Sequence, residues 1–247
     1  MDKKATAVIF GAGNVGRGFL GQLFTESGYA VTLVDIDEPL LQALNARGGY
    51  PLHLVDNERH EELWISPVRA LHAGDTAAVA AAVASAQLMA TSAGVRALPA
   101  VARTVAAGLN RRLSDPDAAP LNIIVCENLK DAAAYFRGLV EAEMEEPQRA
   151  LLAQRVGFVD TVIGRMVPLL TPEQRAADPA FIMAEPYKEL PVDAHALWGP
   201  CRISWGWSPA TALPPMWRAS STCTTWATRC WRTSATCVAT PTAMKPW

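Results

Sequence analysis

Val8-Ile9-Phe10-Gly11-Ala12-Gly13-Asn14-Val15-Gly16-Arg17-Gly18 decides how the rest of the chain is read. An apolar run passes straight into a glycine-rich turn, and Phe19, Leu20, Leu23 and Phe24 then recur at helical spacing. Strand, G-x-G-x-x-G turn and helix, in that order, make the dinucleotide-binding fingerprint. Gly11 permits the tight turn, Gly13 lets the backbone approach a pyrophosphate, and Gly16 lets the helix pack close to the strand. The helix start offers free N–H groups and a positive dipole end to phosphate. Phe10, Gly11, Ala12, Gly13, Asn14, Val15, Gly16 and Arg17 are therefore the expected cradle. Arg17 suits either a contact at the phosphate turn or a solvated helix charge.

A second apolar run, Ala30-Val31-Thr32-Leu33-Val34, ends in Asp35, 19 residues after Gly16. An acidic side chain at that distance, closing the second strand, accepts hydrogen bonds from the ribose hydroxyls of NAD and repels the 2′-phosphate of NADP. Asp35 is thus the expected ribose ligand and NAD the expected cofactor, with Asp37 as the competing acid and a loop cap as the plainer role for Asp35.

Beyond this, the pattern predicts strand over 4–10, helix over 14–28, strand over 30–35 and helix over 38–47 with Gly48-Gly49 as its stop. Short strands at 50–55 and 63–65 read as a hairpin. Helix follows over 75–86, strand over 87–91, helix over 98–109, loop over 114–120 and strand over 121–125. Helices are expected over 131–145 and 148–156, and 184–190 reads as the start of a strand in a second domain. Strands alternating with helices imply a doubly wound parallel sheet of the Rossmann type. Ligands of such sheets bind at the carboxyl ends of the strands. That gathers Gly11–Gly16, Asp35, Thr91–Gly94 and Glu127-Asn128 around one crevice, and Thr91 and Asn128 join the expected cofactor site. A helix N-cap at Thr91-Ser92 and a turn at Asn128 are the plainer readings of those residues.

The 247 residues are half hydrophobic, enough for one large domain or two small ones, and the net charge of −2 gives no reason to expect nucleic acid or an anionic membrane as partner. No apolar stretch is long enough to span a bilayer. Met1-Asp2-Lys3-Lys4 leads into a strand rather than a signal-peptide core, so the cytoplasm is the expected location. His53, His60, His72 and His195 are scattered without ligand spacing, and no metal is expected. Cys126, closing an apolar strand, reads as a small buried residue rather than a nucleophile.

Four stretches taken together carry a resemblance: Phe10 to Phe19, Ala43-Leu44-Asn45-Ala46-Arg47, Asn122 to Asn128 and Val156 to Pro168. From the N-terminus to about Pro200 the chain resembles the long-chain mannitol dehydrogenase family, and within it the branch acting on mannitol 1-phosphate. The resemblance implies a Rossmann-type NAD-binding domain at 1–155. It also implies the start, at 156–200, of a mostly helical substrate domain that is incomplete here. The implied reaction passes hydride between NAD and the sugar phosphate, interconverting mannitol 1-phosphate and fructose 6-phosphate without a metal. Hexuronate reductase and mannitol 2-dehydrogenase are the family alternatives, and a non-catalytic NAD-binding fragment is the other. The resemblance places Asn128 near nicotinamide and substrate, and the general acid–base in a K-x-x-x-x-N-x-x-H motif of the substrate domain. Two departures stand out. Gly164 occupies a position that is aspartate in many relatives, and no K-x-x-x-x-N-x-x-H follows residue 200. No catalytic residue is therefore assigned.

All 24 acidic residues precede residue 201, whereas the last 47 residues hold six of the eight tryptophans and four of the five cysteines. Such a break in composition is foreign to one evolved domain. Back-translating Ile203 to Cys237 with GC-rich codons and shifting by one base permits a segment containing K-x-x-x-x-N-x-x-H. The expectation is that 201–247 is an aberrant, out-of-frame tail beginning near Pro200–Arg202. Cys223, Cys230 and Cys237 lack the fourth ligand and the histidines of a zinc module. The arginines and tryptophans of the tail show no coherent period for nucleic-acid stacking. The expected partner is a small sugar phosphate, with no nucleic acid and no membrane, and the oligomeric state is left open.

Overall fold

The computed structural model describes residues 4–56, 60–198 and the backbone of 207–210. The chain divides into units Met1–Leu213 and Pro214–Trp247, and the second lies wholly outside the described residues, as does nearly all of the tail read as out of frame.

Six parallel strands form the central sheet: β1 (Thr6–Phe10), β2 (Ala30–Asp35), β5 (Val68–His72), β6 (Leu88–Thr91), β7 (Leu121–Val125) and β8 (Val156–Asp160). Their order is β5-β2-β1-β6-β7-β8. This is the doubly wound order of dinucleotide-binding folds, reversing direction between β1 and β6. The strands are near-continuous apolar runs because both faces are covered. Ala7 and Ile9 enter one core with Phe24, Leu44 and Tyr50, whereas Val8 and Phe10 enter the other with Val83, Val105 and Phe136, as the two-residue period of a strand requires.

The helices that cover the sheet start and stop where their caps dictate. After β1 a π-helical turn, Gly16–Leu20, runs into α1 (Gly21–Glu26). The N-cap of α2 (Glu38–Arg47) is Asp37, whose carboxylate accepts from Leu40 N at 3.3 Å, and its end is the left-handed Gly48 at φ 62°. Asp75 caps α3 (Thr76–Ser85) in the same way. α3 packs on α4 (Leu98–Leu113), then come α5 (Ala132–Ala142) and α6 (Gln148–Arg155).

Between α2 and β5 the hairpin of β3 (Tyr50–Val55) and β4 (His60–Ile65) leaves the sheet and takes β9 (Ile182–Ala184) as a third, parallel strand on β3. Tyr50 fastens this hairpin to the first helical segment: its fully buried ring donates a 2.7 Å hydrogen bond from Oη to the Arg17 carbonyl. Burial raises the Tyr50 phenol well above its ordinary pKa. β10 (Leu190–Asp193) follows α7 (Pro172–Ala177) and β9, and pairs in parallel with β11 (Trp207–Ala210).

Three sequence expectations are corrected. β5 is an unforeseen edge strand. The division expected after residue 155 falls inside the sheet, because β8 pairs with β7 from Leu121↔Val156 to Val125↔Asp160. The strand expected over 184–190 resolves into β9 before it and β10 after it, joined by a segment without regular structure. The segment after β8 is tied back by Asn122, a buried amide on an apolar strand. Asn122 Nδ2 donates to the Trp198 carbonyl at 3.0 Å, and its Oδ1 accepts from Trp198 N at 2.8 Å, completing the peptide's hydrogen bonds as a neighbouring strand would.

Two measurements check these anchors. Tyr50→Phe is expected to lower unfolding free energy by about 1–2 kcal/mol, leaving the Arg17 carbonyl buried without its donor. In thermal unfolding this is a drop of about 2–8 °C; an unchanged midpoint would show that the hydroxyl holds nothing. Asn122→Leu is expected to cost about 1–3 kcal/mol and to speed amide exchange at Trp198, while exchange in β1 and β6 keeps its order.

Candidate functional site

The carboxyl ends of β1, β2, β6 and β7 meet around the turn that follows β1. This turn is held from both flanks. Gly11 N donates to the Val34 carbonyl of β2 at 2.8 Å, and Ser92 N, beyond β6, donates to the Phe10 carbonyl at 2.7 Å. Gly11 has φ 95°, in the region that favours glycine, and a Cβ there would overlap the Ser92 carbonyl. A Cβ on Gly16 would overlap the Gly11 carbonyl oxygen. Both glycines are thus required by backbone-to-backbone contact. Gly13 differs: it is exposed, and no atom lies within 4 Å of the place its Cβ would take. The space over Gly13 and the first, unpaired N–H groups of the helix fits a pyrophosphate.

Asp35 reaches across from the end of β2. Its Oδ2 accepts from Ala12 N at 2.6 Å, and its Oδ1 accepts from Ile36 N at 2.7 Å. Asp37 turns away to cap α2, so of the two acids it is Asp35 that meets the glycine turn.

Other expected site residues take different places. The Arg17 side chain neither points into solvent nor stands free at the turn. It is buried, with Nε donating to the Ala12 carbonyl at 2.6 Å and Nη1 to the Ala180 carbonyl at 2.8 Å. Burial lowers its pKa, although Tyr50 and the acids at 35 and 37 oppose the shift. Arg17 therefore braces the turn from behind. The Phe10 side chain belongs to the core, which leaves only its backbone at the site. Ala12 is buried, Asn14 and Val15 are half-buried at the helix start, and Asn128 is exposed just beyond β7.

Thr91 ends β6 fully buried; its hydroxyl makes no hydrogen bond of normal length, yet it lies close enough to Glu127 to favour that carboxylate. Glu127 itself accepts from Ala93 N on Oε1 and from Gly94 N on Oε2, both at 3.0 Å. Burial outweighs these bonds and holds its carboxyl above the ordinary glutamate pKa. The sequence gathered Glu127 and the segment after β6 at one crevice; that Glu127 meets the Ala93 and Gly94 amides is decided by the β6–β7 pairing.

Away from the crevice, Arg165 pins the segment after β8 to α1. Its Nη1 donates to Gln22 Oε1 at 2.7 Å and its Nε to the Glu185 carbonyl at 2.6 Å, and its guanidinium lies 5.6 Å from the Phe19 ring centre. Burial brings its pKa down to about 10. Beside it, a side chain at Gly164 would press on the Tyr187 ring at 3.0 Å. Two of the four histidines, distant in sequence reading, are neighbours on the hairpin: His53 Nδ1 lies 3.1 Å from His60 Nε2. Among the described residues no group of three or more His, Cys, Asp or Glu could hold a metal ion, and no helix is long and apolar enough to cross a membrane. Cys126 is buried, with its thiol pushed well up by desolvation, against a nucleophilic role.

Comparison with known proteins follows the same lines. A mannitol-1-phosphate 5-dehydrogenase of Brevibacillus brevis is 39% identical over 193 residues, covering 78% of this chain and 48% of the relative. One from Geobacillus thermodenitrificans is 38% identical over 188 residues, 76% of this chain and 47% of the relative. The chain spans about half the length of the curated relatives it matches. Among solved structures, Pseudomonas fluorescens mannitol 2-dehydrogenase in ternary complex with NAD and D-mannitol superposes with a TM-score of 0.72 at 15% identity, covering 87% of this chain and 55% of that one. A substrate-free D-sorbitol dehydrogenase gives 0.60 at 16% identity, covering 91% and 55%. These two show a shared fold. The profile of the mannitol dehydrogenase Rossmann domain matches residues 5–203, and this chain belongs to the mannitol dehydrogenase family.

Proposed function

We propose that this chain carries the NAD-binding half of a dehydrogenase for mannitol 1-phosphate. The observation that carries the reading is the open space over Gly13, bordered by the Asp35 carboxylate on the Ala12 amide. A phosphate needs the first feature and a ribose diol the second. The sugar-phosphate substrate rests on the relatives, which bear the name mannitol-1-phosphate 5-dehydrogenase at 34–39% identity. Bound NAD supplies the hydride acceptor. The protein's own part is to fix the pyrophosphate over Gly13 with backbone N–H groups and to accept the ribose hydroxyls on Asp35. Ser92 and Asn128 follow β6 and β7, on the flank of β1 away from Asp35, and Thr91 lies buried at the end of β6.

The proton-transfer part is what this chain does not supply. The K-x-x-x-x-N-x-x-H motif implied by the resemblance is absent after residue 200, where Lys245 is the lone lysine and neither Asn nor His occurs. General acid–base catalysis contributes typically ~10²–10⁴-fold. We read 201–247 as translation in a shifted frame. The support is the abrupt loss of acidic residues and the frame-shifted reading that restores the motif. On this reading the chain binds NAD and turns over little or no substrate.

Two experiments test it. NADH titrated into the purified chain should bind, and Asp35→Asn should weaken it by about ten-fold or more while narrowing the preference over NADPH. Equal NADH affinity in both proteins would remove Asp35 from the site. Sequencing the coding DNA across codons 195–205 should show one base gained or lost relative to the family reading frame. The protein restored to that frame should then reduce NAD with mannitol 1-phosphate, followed at 340 nm, at least ~100-fold faster than this chain. Robust turnover by the chain as it stands would sink the claim that its base is missing.

A further inference from the structure

Glu127 stands out among the groups that the dinucleotide reading leaves unused. It is a half-buried carboxylate at a crevice mouth, and both of its oxygens are given to backbone amides, Ala93 N and Gly94 N, rather than to any cation in an ion pair among the described residues. Burying a charge in this way is costly unless its hydrogen bonds repay it. The two amides belong to the segment that follows β6. Immediately before them, Ser92 donates its N–H to the Phe10 carbonyl at 2.7 Å and places its hydroxyl 3.3 Å from Phe10 O and 3.2 Å from Gly11 O. The Ser92 carbonyl packs where a Cβ on Gly11 would lie. A chain of short contacts thus runs from Glu127 through Ala93-Gly94 and Ser92 to the phosphate turn. Strand order fixes the side on which it acts: β6 and β7 lie on the opposite flank of β1 from β2 and Asp35. A dinucleotide laid across the switch point therefore has its adenosine ribose at Asp35 and its nicotinamide half over β6 and β7.

We propose that Glu127 is a positioning residue for the nicotinamide half of the cofactor, clamping the Ala93 and Gly94 amides so that the segment after β6 keeps its shape on the nicotinamide side of the phosphate turn. The proposal rests on the dinucleotide reading above. Glutamine at this position keeps the size but offers one carbonyl oxygen and one N–H₂, so one of the two amides faces a donor in place of an acceptor. Aspartate keeps the charge on a shorter arm.

The test is a binding series on the full chain and its Glu127→Gln and Glu127→Asp variants, with NADH and AMP as ligands and amide exchange read at Ala93 and Gly94. The expected result is NADH affinity lower by about ten-fold or more in E127Q, a smaller loss in E127D, AMP affinity within about two-fold of the parent, and faster exchange at both amides in E127Q. Unchanged NADH affinity in E127Q, with the parent binding NADH, overturns the proposal and leaves the cofactor reading standing. Equal losses for NADH and AMP also overturn it, because they mark a general structural role. If E127Q does not fold, E127D decides: NADH affinity equal to the parent's overturns the proposal, and a loss confined to NADH supports it. A parent chain that binds neither ligand overturns the cofactor reading itself, and this proposal with it.

Discussion

Backbone packs against backbone at Gly11, and the rest of the structure is arranged to allow it. The end of β1 must pass close to the Ser92 carbonyl on one side and to the first turn of the following helix on the other, with φ at 95°. No side chain fits there, so the crevice is walled by peptide groups instead of by rotamers. That matters for phosphate binding, because peptide N–H groups need no ordering at the moment of contact. The supports converge on the same few atoms. Val34 and Ser92 hold the turn's edges, Asp35 takes the Ala12 N–H, and Arg17 takes the Ala12 carbonyl from the buried side.

The brace at Arg17 also links the site to elements far along the chain. Its guanidinium reaches the Ala180 and Phe181 carbonyls, just ahead of β9, and its own carbonyl accepts from Tyr50 on β3. The three-stranded β4-β3-β9 sheet is thereby fastened to the first helical segment, and Arg165 repeats the connection through Gln22. The segment after β8 is therefore not a loose connector: two buried guanidinium groups and the Asn122 clamp on Trp198 fix its path.

Period and punctuation made most of the elements legible. The apolar runs of β1, β2, β6 and β7 are unbroken because both faces are buried, and α2 ends at the expected Gly48. β5 escaped because it is an edge strand whose buried positions are Val68 and Ala70 alone, a weak alternation between Arg69 and His72. The place of β8 escaped for a different reason. Val156–Asp160 falls where a mostly helical domain was expected to begin, and its register against β7 makes it the last strand of the sheet instead.

The sequence by itself determined the turn, its three glycines, the acid that closes β2 and the kinship of the chain, because these depend on local backbone sterics and on spacing within one βαβ unit. It also displayed the change of composition after residue 200. Tertiary structure alone decided which polar groups meet. Arg17 could have been a solvated charge or a phosphate ligand until Ala180 and Phe181, more than 160 residues away, were seen to take its donors. Asp35 and Asp37 were separable only once one was found on the Ala12 amide and the other on its helix cap. Glu127 met the Ala93 and Gly94 amides only when β6 and β7 were laid side by side. Hydrogen bonds between distant segments depend on strand order and register, and neither is encoded in any single stretch of the chain.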